Sequence, residues 1–265
     1  MRILIDIGGT KMRIAGAVEG DSFGTPRIIS TPNTGDEALR LLVATGRELA
    51  EDREIEGVYA GVRAYDRAHG TMRAHPKLPL WENYPIREKL EANFSVHTVI
   101  ENDAAVVGLG EAMYGAGKGY GIIAYLTIST GVGGAKISNG HIDENVLGFE
   151  PGAEIVDGTH TLEELISGSA VEQKYGMHPR DMSDSAVWKE LAHHLAIGLN
   201  NTIVHWSPDV VVVGGSMMNE IGISLTEVET ELKKLLTVYG SVPPLLHATL
   251  GDLGGLYGAL VLSKQ

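Results

Sequence analysis

Cysteine is absent from the 265 residues, which excludes disulfides, a thiolate zinc site and a cysteine nucleophile. Cations are in short supply. Lys and Arg total 21 against 34 Asp and Glu, a formal net charge of -13, and no cluster of basic residues is present to meet a phosphate backbone, so no nucleic-acid partner is expected. Long apolar runs are missing too. Asp6 interrupts the N-terminal one, and none approaches the ~18 residues of a membrane helix, so neither signal peptide nor membrane partner is expected. Lack of cysteine fits a reducing compartment, and the expected localisation is cytoplasmic. Glycine is abundant instead, at 34 residues, spread over turns between apolar runs. The length exceeds the usual single core of roughly 100 to 200 residues, so two lobes are expected.

The chain is organised around Arg2 to Val18. Ile3, Leu4, Ile5 and Ile7 form an apolar run, Gly8-Gly9 breaks it, and Met12, Ile14 and Ala17 resume it. That pattern predicts two strands and a tight turn. Gly8 and Gly9 let a ligand approach the backbone, while Asp6, Thr10 and Lys11 bring a carboxylate, a hydroxyl and an ammonium to the same bend. These are the parts of a phosphate and Mg²⁺ cradle. A plain glycine hairpin with a solvated lysine is the competing reading.

Arg27 to Ser30 reads as a third strand. Asp36 is the expected N-cap of a helix carrying Leu39, Leu42, Val43, Gly46 and Leu49 at helical spacing, and Val58 to Val62 as the next strand. Arg63 to Tyr84 is weakly periodic and long for a connection, hence a functional loop. Arg63 itself lies just past a strand end, where ligands of α/β sheets bind, although the general exposure of charges favours a solvated arginine. Pro85 opens a helix, Val96 to Ile100 is a strand, and Asp103 falls at a strand-to-helix junction. There it is either an N-cap or a carboxylate aimed into the crevice at the strand ends.

The second half repeats the first. Ile122 to Thr130, the turn Gly131-Val132-Gly133-Gly134 and Ala135 to Ser138 copy the opening pattern, and Asn139-Gly140 signals a type I′ turn. Two such bends suggest duplicated halves with a phosphate-bearing ligand between them. No Walker A or G-x-G-x-x-G fingerprint is present. Lys189 to Trp206 predicts a long helix, in which His193 and His194 read as ordinary helix residues. Val210 to Val213 predicts a buried parallel strand running into Gly214-Gly215-Ser216, a turn that either admits an adenine or phosphate or simply packs. The tail L-G-D-L-G-G-L-Y-G-A-L-V-L predicts a small-residue helix on a sheet.

D-I-G-G-T-K at 6 to 11, E-N-D at 101 to 103 followed by G-x-G-E, T-I-S-T-G-V-G-G at 127 to 134, L-E-E-L-I-S-G at 162 to 168, S-P-D-V-V-V-V-G-G-S at 207 to 216 and the closing L-G-D-L-G-G-L-Y-G-A resemble, in order, the motifs of the ROK family of repressors and sugar kinases. The resemblance implies an α/β fold of the actin-like ATPase and hexokinase superfamily. Two ribonuclease-H-like lobes, 1–104 and 105–265, would flank a cleft, with the last helix, about 253–263, packing back on the first. It implies an ATP-dependent kinase acting on a hexose or N-acetylhexosamine hydroxyl, most often the 6-OH, with ATP and Mg²⁺ as cofactors and a homodimer as the assembly. Asp103 then matches the catalytic base and Asn102 a sugar ligand. Gly8, Gly9, Thr10 and Lys11 match one phosphate loop, with Asp6 near Mg²⁺, and Thr130, Gly131, Gly133 and Gly134 the other. Gly214, Gly215 and Ser216 match the adenosine-side turn, and Glu150 and Glu163 the sugar-reading glutamates. The family's histidine after Glu150 is replaced by Ala153, its zinc loop is missing, so no zinc is expected, and His160 is a candidate stand-in. With the motif starting at residue 6, no DNA-binding segment is expected. The sugar stays open between glucose and an N-acetylated hexosamine such as N-acetylmannosamine, and a catalytically silent sensor of the same fold is the alternative to an enzyme.

Overall fold

The computed structural model describes residues 1–219 and 221–265. In chain order the elements are β1 (Arg2–Ile7), β2 (Lys11–Ala17), β3 (Arg27–Ser30), α1 (Gly35–Ala50), β4 (Gly57–Val62), β5 (Tyr65–Asp66), β6 (Thr71–Met72), α2 (Ile86–Phe94), β7 (Thr98–Asn102) and α3 (Asp103–Tyr114). They continue with β8 (Ile122–Ile128), β9 (Val132–Ser138), β10 (His141–Ile142), α4 (Leu162–Ile166), α5 (Gly168–Tyr175), α6 (Ser185–Trp206), β11 (Val210–Gly214), α7 (Leu225–Leu235), β12 (Leu245–His247) and α8 (Gly254–Leu262). The chain divides into two compact units. The first comprises Met1–Gly110, Asn145–Gly148 and Asp252–Gln265, the second Glu111–Glu144 and Phe149–Gly251. No described helix is long and apolar enough to cross a membrane.

In the first unit the sheet order is β3-β2-β1-β4-β7. β1 runs antiparallel to β2 and parallel to β4, and β4 runs parallel to β7. Ile3, Ile5 and Ile7 alternate into a core with Leu42 of α1, Leu90 of α2 and Trp81, while α8 packs on β1 and β4. A strand buried on both faces needs apolar residues at odd and even positions, which is why β1 is a continuous apolar run broken only by Asp6. The small residues of α8 serve close approach. A Cβ on Gly258 would sit 1.7 Å from the Val106 carbonyl oxygen, and one on Gly255 2.6 Å from Asp6 Cγ.

Two local expectations are corrected. Thr34 caps α1, its hydroxyl accepting from the Glu37 N–H, so Asp36 is a first-turn acid and not the cap. The stretch from Arg63 to Tyr84 also holds a short antiparallel pair, β5 with β6. That pair is too brief for a periodicity signal and is fixed by the bonds Met72 N–H to Tyr84 O and Arg73 N–H to Ala64 O.

The second unit has the sheet order β10-β9-β8-β11-β12. β8 is antiparallel to β9 and parallel to β11, and β11 is parallel to β12. Asn139 and Gly140 both have positive φ, 51° and 79°, as a type I′ turn between β9 and β10 requires. Val210 to Val213 are wholly buried. Leu126 and Ile128 of β8, Val211 and Val213 of β11 and Leu191, Leu195 and Leu199 of α6 share the core.

Candidate active site

The first unit gathers Asp6, Gly8 to Lys11, Arg63, Asn102 and Asp103 at the carboxyl ends of its parallel strands and at the hairpin beside them. Gly8 to Lys11 close the β1–β2 bend, with the Gly8 N–H bonded to Lys11 O at 3.0 Å. The Thr31 hydroxyl donates to Gly8 O at 2.8 Å. Thr10 and Lys11 are exposed. The stem of Lys77 lies over Gly9, where an added Cβ would meet Lys77 Cβ at 3.2 Å.

Asp6 pairs across the hairpin with Arg13, Oδ2 to Nη1 at 3.1 Å, and Arg13 Nη2 reaches Asp252 at 3.0 Å. Burial nonetheless pushes the Asp6 carboxyl up to about 6; Arg13 opposes the shift, while the charges of Asp103 and Asp252 add to it. Asp6 and Asp103 therefore feel each other's field.

At the junction of β7 and α3 the cap falls mainly to Asn102. The Asn102 side-chain oxygen accepts from the N–H of Ala104 at 2.9 Å and of Ala105 at 3.4 Å, the work of an N-cap. Asp103 is the first residue of the helix. Its Oδ1 accepts from Ala104 N–H at 2.9 Å, and its Oδ2 lies 3.7 Å from Arg63 Nη1. The side chain is 22 % exposed. Burial raises its pKa above the usual carboxylate range and Arg63 opposes the shift, so the group is a stronger base than a solvated aspartate but remains reachable. Arg63 is not a solvated arginine: Nε donates to His75 Nε2 at 2.9 Å. Nothing at sequence level links His75 to Arg63.

In the second unit Thr130 and Gly131 form the β8–β9 bend, where Ser129 N–H bonds Gly131 O at 2.8 Å. Gly133 and Gly134 lie in β9 itself. The start of α5 braces the bend, Gly168 N–H reaching Ser129 O at 2.7 Å and Ser169 N–H reaching Thr130 O at 3.3 Å. Glu163 belongs to this bend too, its Oε2 accepting from the Val132 N–H at 2.7 Å. Gly214 ends β11, and Gly215 follows at φ 97°, its Cα so close to the Ile128 carbonyl that a Cβ would lie 2.1 Å from that oxygen. Ser216 Oγ and Ser129 Oγ are 3.0 Å apart, tying this turn to the end of β8. Glu150 is exposed, and its backbone carbonyl accepts from Ala153 N–H at 3.0 Å.

His160 is exposed and paired with Asp157, Nδ1 to Oδ2 at 2.7 Å. Its ring is thereby committed to a local turn in which Asp157 also accepts from two backbone amides. His193 lies near Glu231 and His194 near Glu190, in keeping with ordinary helix residues. The glutamate of the G-x-G-E motif, Glu111, is buried and accepts from the N–H groups of Ala116, Thr249 and Leu250. That is a structural hub, which the sequence pattern alone did not reveal.

The model of the ROK family matches residues 2–153 and 157–265 of this chain. A glucokinase of Streptomyces coelicolor is 26% identical over 313 residues, spanning 100% of this chain and 98% of its own. A fructokinase of Pediococcus pentosaceus is 28% identical over 222 residues, 77% of this chain and 76% of its own. The crystal structure of a ROK hexokinase from Thermus thermophilus aligns with a TM-score of 0.85 at 26% identity, covering 98% of this chain and 96% of that one. Both units carry the sheet-and-helix architecture of the actin-like ATPase fold.

Proposed function

The chain belongs to the ROK family, and from that premise we propose that it is a sugar kinase transferring the γ-phosphoryl of ATP to a hydroxyl of a hexose or N-acetylhexosamine, with the 6-OH as the first choice. The observation that carries this reading is Asp103. Asn102 takes over the helix cap, so the neighbouring carboxylate keeps one oxygen near Arg63 and open to a ligand. Phosphoryl transfer runs through a loose transition state in which positioning and charge neutralisation dominate. Asp103 accordingly orients the acceptor hydroxyl and accepts its proton late, as attack raises the acidity of the alcohol. The amide N–H groups of Asn102, left over from capping, are suited to a sugar oxygen, as are Arg63 and the carboxylates of Glu150 and Glu163.

Phosphate binding is assigned in the first unit to Gly8, Gly9, Thr10 and Lys11 and in the second to Thr130, Gly131 and Gly133, where Gly214 and Gly215 are assigned to adenosine. At Gly9 the missing Cβ faces the flexible stem of Lys77, which supports a backbone open to a phosphate, whereas packing against the Ile128 carbonyl is enough to require Gly215. Mg²⁺ fits near Asp6: its carboxylate shares the field of Asp103, and a cation would relieve that repulsion. Among the described residues no group of three or more His, Asp or Glu could hold a metal, so most ligand oxygens would come from phosphate and water, as is usual for Mg²⁺. When bound, the ion neutralises phosphate charge; Asp6 would hold it through a water. A cytoplasmic homodimer completes the reading.

An ADP-release assay over glucose, fructose, N-acetylglucosamine and N-acetylmannosamine tests the activity and selects the sugar. Asp103→Asn is expected to lower kcat by about 10³-fold, within the range for a lost general base, and to leave sugar binding within about threefold by calorimetry. Normal turnover by that variant would remove Asp103 from the role. Sugar binding without turnover in the parent chain would instead establish a silent sensor.

A further inference from the structure

We propose that His75 is a positioning residue, accepting the Arg63 Nε–H so that the guanidinium stays turned toward Asp103. The inference rests on the kinase reading of Asp103 and goes beyond it, because His75 belongs to none of the motifs that support that reading. Three observations carry it. The Arg63–His75 bond is the shortest side-chain contact of Arg63, at 2.9 Å, against 3.7 Å from Nη1 to Asp103 Oδ2. An arginine on a four-bond stem would sample many rotamers unless a second contact fixed it, and a bond at Nε fixes the plane of the whole fork.

The backbone that carries the ring is anchored. Leu78, three residues on, is 2 % exposed and Trp81 is fully buried. Leu78 N–H bonds the His75 carbonyl at 2.9 Å, and Trp81 Nε1 donates to Pro32 O at 3.2 Å. The weakly periodic stretch after β6 is therefore nailed into the core just beyond the histidine.

The third observation is a conflict over lone pairs. Lys77 N–H points at His75 Nδ1 at 3.1 Å while Arg63 Nε points at Nε2, yet a neutral imidazole has one acceptor nitrogen. The Arg63 bond is charge-assisted and partly buried, whereas the Lys77 amide is exposed and water replaces its partner cheaply. The proton therefore sits on Nδ1 and the lone pair on Nε2. Burial, together with the cations Arg63 and Lys77 on its two sides, lowers the His75 pKa, which keeps this lone pair available at neutral pH.

Two measurements on the full chain test the proposal. Long-range ¹⁵N imidazole spectra at neutral pH should show His75 protonated at Nδ1, shifting toward the Nε2–H form in Arg63→Ala; an Nε2–H ring unaffected by Arg63→Ala overturns the proposal. In kinetics, His75→Ala should lower kcat about tenfold with the KM for ATP unchanged, a mid-range coupling within one hydrogen-bond network. His75→Gln, whose amide oxygen can accept from Nε, should recover to within about threefold, and in an Arg63→Ala background the His75→Ala change should cost less than about twofold. Full additivity with Arg63→Ala, or loss in the glutamine variant equal to that in alanine, overturns it. If Arg63→Ala and Asp103→Asn also turn over normally, it is the role of Asp103 that fails, and the spectra still decide the His75–Arg63 bond.

Discussion

The two units present the same sheet twice, yet each fixes its glycine bend by different means. In both, an opening strand pairs antiparallel with the next and parallel with a later one, giving the orders β3-β2-β1-β4-β7 and β10-β9-β8-β11-β12. The first bend spans Gly8 to Lys11, because Ile7 pairs with Met12; the second spans only Ser129 to Gly131, because Ile128 pairs with Val132. A hydroxyl from Thr31 and the flexible stem of Lys77 brace the first. A carboxylate from Glu163 and two amides from α5 brace the second, and Gly215 is pressed against its β8 side. Equal topology thus leaves room for unequal rigidity: the first bend is backed by the side chains of Thr31 and Lys77 and by one backbone bond, Thr31 N–H to Thr10 O at 3.0 Å, whereas the second is gripped by two amides of α5 and by the Gly215 backbone as well as by Glu163.

The sharpest way to break this contrast is Gly215→Ala. With positive φ and a new Cβ against the Ile128 carbonyl, a loss of about 3 kcal/mol or more in urea unfolding is expected. A loss under about 1 kcal/mol would show that the second bend yields as readily as the first. Next in size is Glu163→Ala, which strands the Val132 N–H and should cost about 1–2 kcal/mol, while Glu163→Gln, still an acceptor, should cost less than half as much. Equal losses in the two would mean that charge, not the bond, braces the bend.

Glu154 offers a pH test confined to the second unit. Burial pushes its carboxyl up to about 7, with a bond from Asn201 opposing, and its Oε1 is buried with no hydrogen-bond partner. The folded state then binds more protons than the unfolded chain between about pH 4.5 and 7, so this contribution is complete at low pH and is lost as pH rises through the folded value. Thermal scans should show Glu154→Gln gaining in Tm relative to the parent at pH 8 and not at pH 4.5; an equal difference at both would discard the titration of Glu154. The smallest effect is expected of Gly9→Ala, whose Cβ meets only the movable Lys77 stem, at under about 1 kcal/mol. A loss matching that of Gly215→Ala would erase the contrast.

Much of this was legible in the sequence, for identifiable reasons. β4, β11 and, apart from Arg2 and Asp6, β1 are apolar because both their faces are covered, and Asn139-Gly140 marked its hairpin because only such pairs take two positive φ values cheaply. The doubled bend was visible because strand and turn periods repeat. What escaped depends on contacts that no local window contains. Thr34 outcompeted Asp36 for the α1 cap through one bond to the Glu37 N–H. Asn102 relieved Asp103 of capping because its side chain reaches both Ala104 and Ala105. Glu163 meets Val132 across 31 positions, and Arg63 meets His75 across a segment without period.

The last helix carries a consequence for how the protein is made. α8 lies on β1 and β4, with Gly255 against Asp6 and Gly258 against Val106. During synthesis the opening strands leave the ribosome first but lack their lid until residues 254–262 follow, whereas every strand and helix that encloses the Val210–Gly214 strand has already been translated. The half read second is therefore ready to close first, and the half read first waits, one apolar face bare, until residues 254–262 have been made.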